Sequence, residues 1–473
     1  MCSVRASARN AGPAVLGGAC GLLVGLGGWI GVAGAAAAVA VASVVSSTLA
    51  AALLCALLTG FPPASQIQVA GQQAAAIDLV IAFCSAAMLL RALYRWPRLV
   101  VPEWCVAVLM LAVLGGISRA ASPQARFGTA GIITVVLATS EIGVMGIAAA
   151  SALRSAALAA RLMWMLLGLG AATTLFYWAA HVAVCGSLAA ALVLPIHGET
   201  PYLTAIADTG AAAFALYVAM HALVLLAAAR CRALSRRTRL ASWAGAVFMM
   251  ATVFLTRSRG ESLGLLVGVA YILTLGGLRG ERARRLGRAR EVALLLGTLV
   301  AVAFAVTPWA SAMAARLTGK TFGSVAARYL MWSSVIPLGI QHPVLGIGPG
   351  LLRERLHSVA VDDPAAKVFV SQQSSVHSTY VDAFVERGAA GLLCLLWFFV
   401  AAHRKCRRAA AYGDERYSWL PLGVGAVVWA VAVSNLFETE LYIRSQGLLA
   451  IVLACATVVH TVRAADAQPE STE

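Results

Sequence analysis

Long apolar runs constrain the fold of this chain more than any other feature of its sequence. Two of them extend from Ala35 to Leu58 and from Ile132 to Ala150. A helix of about 20 apolar residues matches the hydrocarbon thickness of a bilayer. Because lipid offers no hydrogen-bonding partners, segments that cross it must be helices unless they close into a barrel. With only 12% charged residues, well below the usual fraction in soluble domains, the sequence predicts an all-α polytopic membrane protein.

Hydropathy predicts a bundle of about 12–13 transmembrane helices with one long external loop element. The predicted spans are 14–32, 35–58, 74–90, 99–117, 129–150, 162–190, 202–228, 240–255, 262–278, 292–309, 389–402, 419–435 and 441–462. Arg5 and Arg9 precede the first apolar run as in a signal peptide. We interpret that run as membrane-spanning because apolar sequence continues to Leu58. Whether 14–58 makes one span or two, and on which side the N-terminus lies, stays open.

The basic residues predict the orientation of the chain. Its net charge is +16, and arginine is dense in four segments that alternate consistently with the spans: 91–98, 230–239, 279–290 and 403–408. Because cytoplasmic loops are enriched in Lys and Arg, these segments are expected inside. The positive charge is then explained without nucleic acid, for which the sequence contains no module. The expected division is membrane helices over 1–309, an external loop element with short helices over 310–388, membrane helices over 389–463 and a cytoplasmic tail over 464–473.

The junction between two predicted spans, Thr256–Ser262, carries Arg257 and Arg259 on the expected external side. An arginine at a membrane boundary is costly unless it reaches water or meets an anion. Its planar guanidinium suits phosphate, to which it donates two parallel hydrogen bonds. Ser258 and Gly260 flank these arginines, and a glycine lets a bulky headgroup approach the backbone. Interfacial anchoring is the alternative reading of this pair.

Two further motifs lie in the predicted external loop. A short amphipathic helix contains Arg328 and Trp332, and a glycine- and proline-rich turn follows at 342–350, where glycine permits backbone angles that other residues avoid. His377 precedes a predicted helix that leads into the next span. Histidine is the natural general base near neutral pH. Taken singly, the turn is an ordinary loop and His377 a bystander.

The order, spacing and sidedness of these motifs resemble the bacterial O-antigen ligase and polymerase superfamily over roughly 241–399. The matching residues are Ser258, Arg259 and Gly260; Arg328 and Trp332; Pro343, Gly346, Gly348 and Gly350; and His377, Tyr380, Glu386, Gly388 and Gly391. Two departures stand out. Ser378 occupies a position where many members have Asn. The arginine that members carry in an earlier external loop has no clear counterpart, and His197, Arg126 or Arg119 are candidates for its role.

The resemblance implies a GT-C-like glycosyltransferase in the bacterial cytoplasmic (inner) membrane, with its site on the external, periplasmic face. The donor would be a polyprenyl-diphosphate-linked glycan, and the acceptor a glycolipid, a glycan or a protein. Arg259, with Arg257 and Arg328, would hold the diphosphate, His377 would be the base, and Glu386 would fix the helix that follows His377. No cofactor is implied. Because no Asp-x-Asp pair marks the loop, we expect a metal-independent reaction, with Asp362 and Asp363 as surface charge.

Three alternatives remain open from the sequence. A polymerase of the same superfamily would use the same donor but extend the next lipid-linked repeat unit. A secondary solute transporter would need ionisable groups within its spans, for which Glu141 is the one mid-span acid. A non-catalytic assembly partner would tolerate changes at the Arg and His positions.

Overall fold

The structure is a computed structural model of the 473-residue chain. It describes residues 99–122, 128–153, 155–193, 211–256, 258–275, 324–352, 376–412, 414–437 and 445–466. It also describes a hairpin at 66–69 and 72–75, short pieces between 84 and 93, and residue 293.

The described part of the chain is a helical bundle. Its helices are α1 Glu103–Ala121, α2 Gly128–Ala152, α3 Ala156–Cys185, α4 Leu188–Val193, α5 Ala211–Arg230, α6 Arg236–Leu255, α7 Arg259–Leu275, α8 Ser324–Gln341, α9 Thr379–Tyr412, α10 Trp419–Ser434 and α11 Ser445–Asp466. A single 3₁₀ turn, Glu415–Tyr417, precedes α10. Strands β1 (Gln66–Val69) and β2 (Gln72–Ala75) pair antiparallel, with Gln66 opposite Ala75 and Val69 opposite Gln72.

Six of the described helices are long and apolar enough to cross a membrane: α1, α3, α5, α6, α9, and α10 with its preceding turn. This confirms the prediction of an all-α polytopic membrane protein. The predicted spans 14–32 and 35–58 lie outside the described residues, as does nearly all of 292–309. The total of about 12–13 spans therefore stays a prediction.

Local sequence explains several helix ends. The side chain of Ser155 accepts a hydrogen bond from the Leu158 N–H at the start of α3, and Ser235 does the same for Thr238 at the start of α6. Such caps satisfy N–H groups that have no partner within the helix. At the other end of α3, Gly186 adopts a left-handed conformation with φ 73°, which glycine accepts without steric cost.

Most of the described helices share one buried apolar cluster, in which α5 is almost completely enclosed. A second, smaller cluster joins α8 to residues 347–352 and to the start of α9. The outward faces remain apolar as well. Exposed side chains recur at helical spacing along α1 (Met110, Val113, Ile117), α6 (Leu240, Trp243, Val247) and α9 (Leu393, Leu396, Val400). Water would disfavour such continuous apolar faces, whereas lipid accommodates them.

Helices α7 and α10 pack closely because glycine recurs every four residues along α7. A methyl group added at Gly264 would lie 2.6 Å from both the Ala430 carbonyl oxygen and the Ser434 hydroxyl. One turn later, a methyl group at Gly268 would lie 3.1 Å from the Ala426 oxygen. Small residues at this spacing let two membrane helices approach backbone to backbone. The contact fixes where the N-terminus of α7 lies.

Helix α9 extends beyond the predicted span 389–402 in both directions, from Thr379 to Tyr412, and it breaks at Gly388 (φ 66°, ψ −166°). Hydropathy misses the first part because Asp382, Glu386 and Arg387 are charged. It misses the last part because the helix continues through basic residues past the apolar stretch. The break divides α9 into a short N-terminal piece, 379–387, and a long apolar piece.

Candidate functional site

The predicted site residues that the structure describes lie toward one end of the bundle. This end contains the C-terminus of α1, the N-termini of α7 and α9, the turn 342–350, and the turn 434–437 that ends α10. The arginine-rich segment after α5 lies at the other end, where the Cys231 thiol donates to the Glu415 carbonyl at 3.5 Å. The described candidate residues are therefore separated from that basic segment by the length of the helices.

The glycine- and proline-rich turn pairs with the break in α9. The backbone N–H groups of Ile347 and Gly348 donate to the carbonyls of Val385 and Glu386, both at 2.9 Å. In return, the Ala389 N–H donates to the Pro343 carbonyl at 2.7 Å. Because Gly388 interrupts the helix, carbonyls that would otherwise bond within α9 are open to the turn. The two predicted motifs therefore form one backbone-paired unit.

Glycine is required at two positions in this unit. Gly346 has φ 69°, and a methyl group added there would lie 2.5 Å from the Arg387 backbone nitrogen. Gly388 has φ 66°, and its added methyl group would overlap the Val344 carbonyl. Both positions combine a left-handed backbone, which side chains disfavour, with direct backbone contact. The sequence pattern of spaced glycines therefore has a steric cause here.

The end of α1 anchors the turn through two polar side chains. Ser118 lies within hydrogen-bond distance of two carbonyl oxygens, Leu345 at 2.5 Å and Glu386 at 2.8 Å. Arg119, only 4% exposed, donates from Nη1 to the Pro349 carbonyl at 2.8 Å. Of the three candidates for the family's earlier arginine, Arg119 is the one whose side chain the structure describes.

Buried charges compensate one another beneath the turn. Glu386 accepts a hydrogen bond from the Gly350 N–H at 2.9 Å and pairs with Arg387 at 3.3 Å. It also interacts electrostatically with Arg119. Asp382, which is 5% exposed, is attracted by Arg387 and repelled by Glu386. Because buried charges are tolerated when they are paired, the two arginines offset the burial of the two acids at this junction.

The N-terminus of α7 presents the candidate phosphate-binding residue. Arg259 is exposed at the first position of the helix. Beside it, the Ser258 hydroxyl donates to Glu261, whose side chain is completely buried. Unpaired N–H groups and the helix dipole favour anions at a helix N-terminus. A guanidinium at this point therefore adds to a local preference for negative charge.

His377 is held in a strained conformation. Its φ is 51°, and it is the one non-glycine residue among those described that has a positive φ. The preceding residue, Val376, is fully buried, and its carbonyl accepts a hydrogen bond from Trp332 Nε1 at 2.8 Å. Two residues after His377, the Thr379 N–H donates to the Asn435 carbonyl at 3.0 Å. Strained backbones of this kind persist where neighbouring contacts enforce them, and they cluster at functional sites.

The turn 434–437 connects the two candidate groups. The Ser434 hydroxyl lies 3.4 Å from the Gly260 carbonyl, and a methyl group added at Gly260 would lie 3.2 Å from Phe437 Cβ. The same turn contacts Thr379 through Asn435. Arg259 and His377 are thus each one or two residues from contacts with one short turn.

The remaining predicted residues differ in what the structure describes of them. Arg328 is half-buried on α8, one turn before Trp332, and the Tyr380 hydroxyl donates to the Ala432 carbonyl at 2.8 Å. The other predictions fall outside the described residues or side chains: Arg257, His197, Arg126, Asp362, Asp363 and Glu141. Within the described residues, no cluster of three or more His, Cys, Asp or Glu could hold a metal ion.

Sequence reasoning missed Ser118 and Asn435. Neither belongs to a motif with a recognisable chemical role. Ser118 contacts distant carbonyls through its side chain, and Asn435 contacts Thr379 through its carbonyl and its side chain. A single polar residue at the end of an apolar span is their only sequence signal. That signal is too common in membrane helices to identify a site.

Comparison with known proteins identifies the segment that carries these motifs. Residues 244–396, roughly a third of the chain, match the family described as O-antigen ligase. No curated protein matches the chain. The matched segment includes the N-terminus of α7, the paired turn, and the break in α9. Over this segment the chain is therefore similar to the O-antigen ligase family, in agreement with the superfamily that its motifs resemble.

Proposed function

We propose that this protein transfers a polyprenyl-diphosphate-linked glycan to an acceptor hydroxyl, as an O-antigen ligase does. The observation that carries this proposal is the shared turn 434–437. It brings the N-terminus of α7, with the exposed Arg259, and the segment that bears His377 to one end of the bundle. A cation for a departing diphosphate and a base for an incoming hydroxyl are the two groups that the reaction needs.

In the proposed reaction, His377 accepts the proton of the acceptor hydroxyl. The acceptor oxygen then bonds to the anomeric carbon of the glycan's reducing-end sugar, and the bond from that carbon to the lipid diphosphate breaks. The electron pair leaves on the diphosphate oxygen, so negative charge grows on the leaving group. Arg259, supported by Arg257 and Arg328, stabilises that charge. No metal ion takes part in this scheme.

The proposed location is the external face of the bacterial cytoplasmic membrane. The positive-inside rule favours a cytoplasmic position for the arginine-rich end, and the candidate residues lie toward the opposite end of the bundle. The acceptor is a glycolipid, a glycan or a protein. Polymerisation of lipid-linked repeat units is the second candidate, because the same cation and base serve either acceptor.

A strain deleted for this protein tests the proposal. It is complemented with wild type, Arg259→Ala or His377→Ala, and the glycan products and lipid-linked donor are resolved on a gel. Arg237→Ala, an exposed arginine at the other end of the bundle, is the matched control for Arg259→Ala. His342→Ala, an exposed histidine in the turn, is the control for His377→Ala. Membrane levels of all variants are measured by immunoblot.

Accumulated donor and lost product in both site variants, with normal transfer in both controls, would support the transferase. The length of the stranded chains then distinguishes the two candidates. Intact long chains left on lipid indicate a ligase, and single repeat units indicate a polymerase. Normal transfer by both site variants at wild-type membrane levels would refute the proposed mechanism, and solute uptake would be measured next.

A further inference from the structure

We infer that Asn435 is a positioning residue for transfer, because it holds His377 in register with the α7 N-terminus that carries Arg259. The inference rests on the proposed roles of His377 and Arg259. Asn435 lies outside the family match at 244–396. It is completely buried, and it is the first residue after α10.

Asn435 is bound on two sides. Toward its own helix, its backbone N–H and its side-chain Nδ2 both donate to the Val431 carbonyl, at 3.0 and 2.7 Å. Toward α9, its carbonyl accepts from the Thr379 N–H at 3.0 Å, and its side-chain oxygen accepts from the Thr379 hydroxyl. Because the side-chain amide is fixed by Val431, its oxygen is aimed at Thr379. The asparagine therefore transmits the position of α10 to the start of α9.

The contact with Thr379 constrains His377 because only one residue separates them. The N–H of Thr379, at the first turn of α9, has no partner within the helix, and Asn435 supplies one. On the other side of His377, the Val376 carbonyl accepts a hydrogen bond from Trp332 of α8. The backbone N–H of Val376 donates to the Asp382 carboxylate. His377 is thus bracketed by fixed neighbours, which explains how its left-handed backbone is maintained.

The same turn constrains the other candidate group. Ser434, next to Asn435, contacts the Gly260 carbonyl, and Phe437 lies against the Gly260 backbone. Because Gly264 brings the backbones of α7 and α10 into close contact, Gly260 cannot move far from the turn 434–437. The turn therefore sets the separation of Arg259 and His377 from one rigid point. Loss of the Asn435–Thr379 contact should displace the base while leaving the phosphate-binding end in place.

The test compares three variants: Thr379→Val, which keeps the shape and removes the hydroxyl, Thr379→Ser, which restores it, and Asn435→Ala. Initial transfer rates are measured with each purified variant as the enzyme. Detergent-solubilised membranes of the deletion strain supply the acceptor. Lipid-linked glycan extracted from the same strain is added at varied concentration. Thermal unfolding of each variant is recorded in the same detergent.

We expect Thr379→Val and Asn435→Ala each to lower kcat by about 10- to 100-fold, the effect of misplacing a reacting group by about 1 Å. The KM for the donor should change less than about threefold, because the phosphate-binding end is untouched. Thr379→Ser should recover most of the rate. A fourth protein combines Thr379→Val with Asn435→Ala, and it should be no slower than the slower of these two single variants, since both remove one interaction.

The outcomes separate this inference from the proposed function. His377→Ala is assayed in parallel, and a wild-type rate in that variant would refute the base itself. If His377→Ala is inactive while Thr379→Val transfers at the wild-type rate, the base stands and the positioning role is wrong. A fall in rate that tracks a fall in unfolding temperature, and that Thr379→Ser does not reverse, would also overturn the inference. If Asn435→Ala fails to accumulate, the rates of Thr379→Val and Thr379→Ser test the positioning role by themselves.

Discussion

Gly388 is the position where a single methyl group should be most damaging to the candidate site. Its backbone angles, φ 66° and ψ −166°, belong to a region nearly restricted to glycine. An alanine there would carry strain of about 1–3 kcal/mol. Its methyl group would also overlap the Val344 carbonyl, and such overpacking costs about 1–3 kcal/mol more. We therefore expect Gly388→Ala to lower the free energy of unfolding by about 2–6 kcal/mol.

Helix α3 offers two matched controls for this substitution. Gly186 also has a positive φ, 73°, but an added methyl group meets no atom within 4 Å. Gly186→Ala should therefore cost only the conformational strain, about 1–2 kcal/mol. Gly168 lies inside the helix, again with nothing within 4 Å of an added methyl group. Gly168→Ala should raise the free energy of unfolding by about 0.5–1 kcal/mol because alanine favours the helix.

The three variants are compared by reversible unfolding in mixed micelles of a mild detergent and SDS, followed by tryptophan fluorescence. We expect the order Gly168→Ala, Gly186→Ala, Gly388→Ala, from most to least stable. A Gly388→Ala protein as stable as Gly186→Ala would refute it. The pairing of the turn with the α9 break would then not constrain the backbone.

Three further substitutions test other parts of the structure. Gly264→Ala should weaken the α7–α10 contact by about 1–3 kcal/mol, since the added methyl group would lie 2.6 Å from the Ala430 oxygen. Unfolding in micelles measures the loss of stability. A gain in stability like that of Gly168→Ala would contradict the expectation. Arg119→Ala should leave the buried Pro349 carbonyl without this hydrogen-bond donor and lower the free energy of unfolding by about 1–3 kcal/mol. Proteolysis within the turn 342–350 should then be faster. An unchanged proteolysis rate would show that Arg119 does not anchor the turn. Trp332→Phe removes the indole hydrogen bond beside the candidate base and should cost about 1 kcal/mol and slow transfer; equal rates for Phe and Trp would show that ring packing alone suffices.

The motifs were predictable because each depends on residue types at short spacing. Gly346 lies in a glycine- and proline-rich turn, a pattern that itself suggests unusual backbone angles. Gly388 is indicated by the family resemblance, and its positive φ is seen only in the structure. The helical bounds were less predictable. Hydropathy predicts only 389–402 within α9, because charged residues lie on both sides of that stretch. In the structure, α9 includes Asp382 and Arg387, which are buried and attract each other.

The roles of single polar residues could not be derived in the same way. Arg119 was one of three candidates for an earlier external arginine, and nothing local distinguished it. Its contact with Pro349 spans 230 positions of sequence. Ser118 likewise lies 268 positions from Glu386, its partner. Such contacts depend on how α1 packs beside α9, which local patterns do not specify.

The sequence by itself determined that this chain is a membrane helical protein and which segments carry its candidate chemistry. Lipid forces apolar stretches of bilayer length into helices, so hydropathy, a sum over neighbouring residues, is enough for that conclusion. Only the tertiary structure decided that Asn435 meets Thr379, 56 positions away, and that one turn joins the two candidate groups. The separation of a cation from a base is set by helix packing, and packing depends on side-chain shapes from distant segments that meet only when the chain folds.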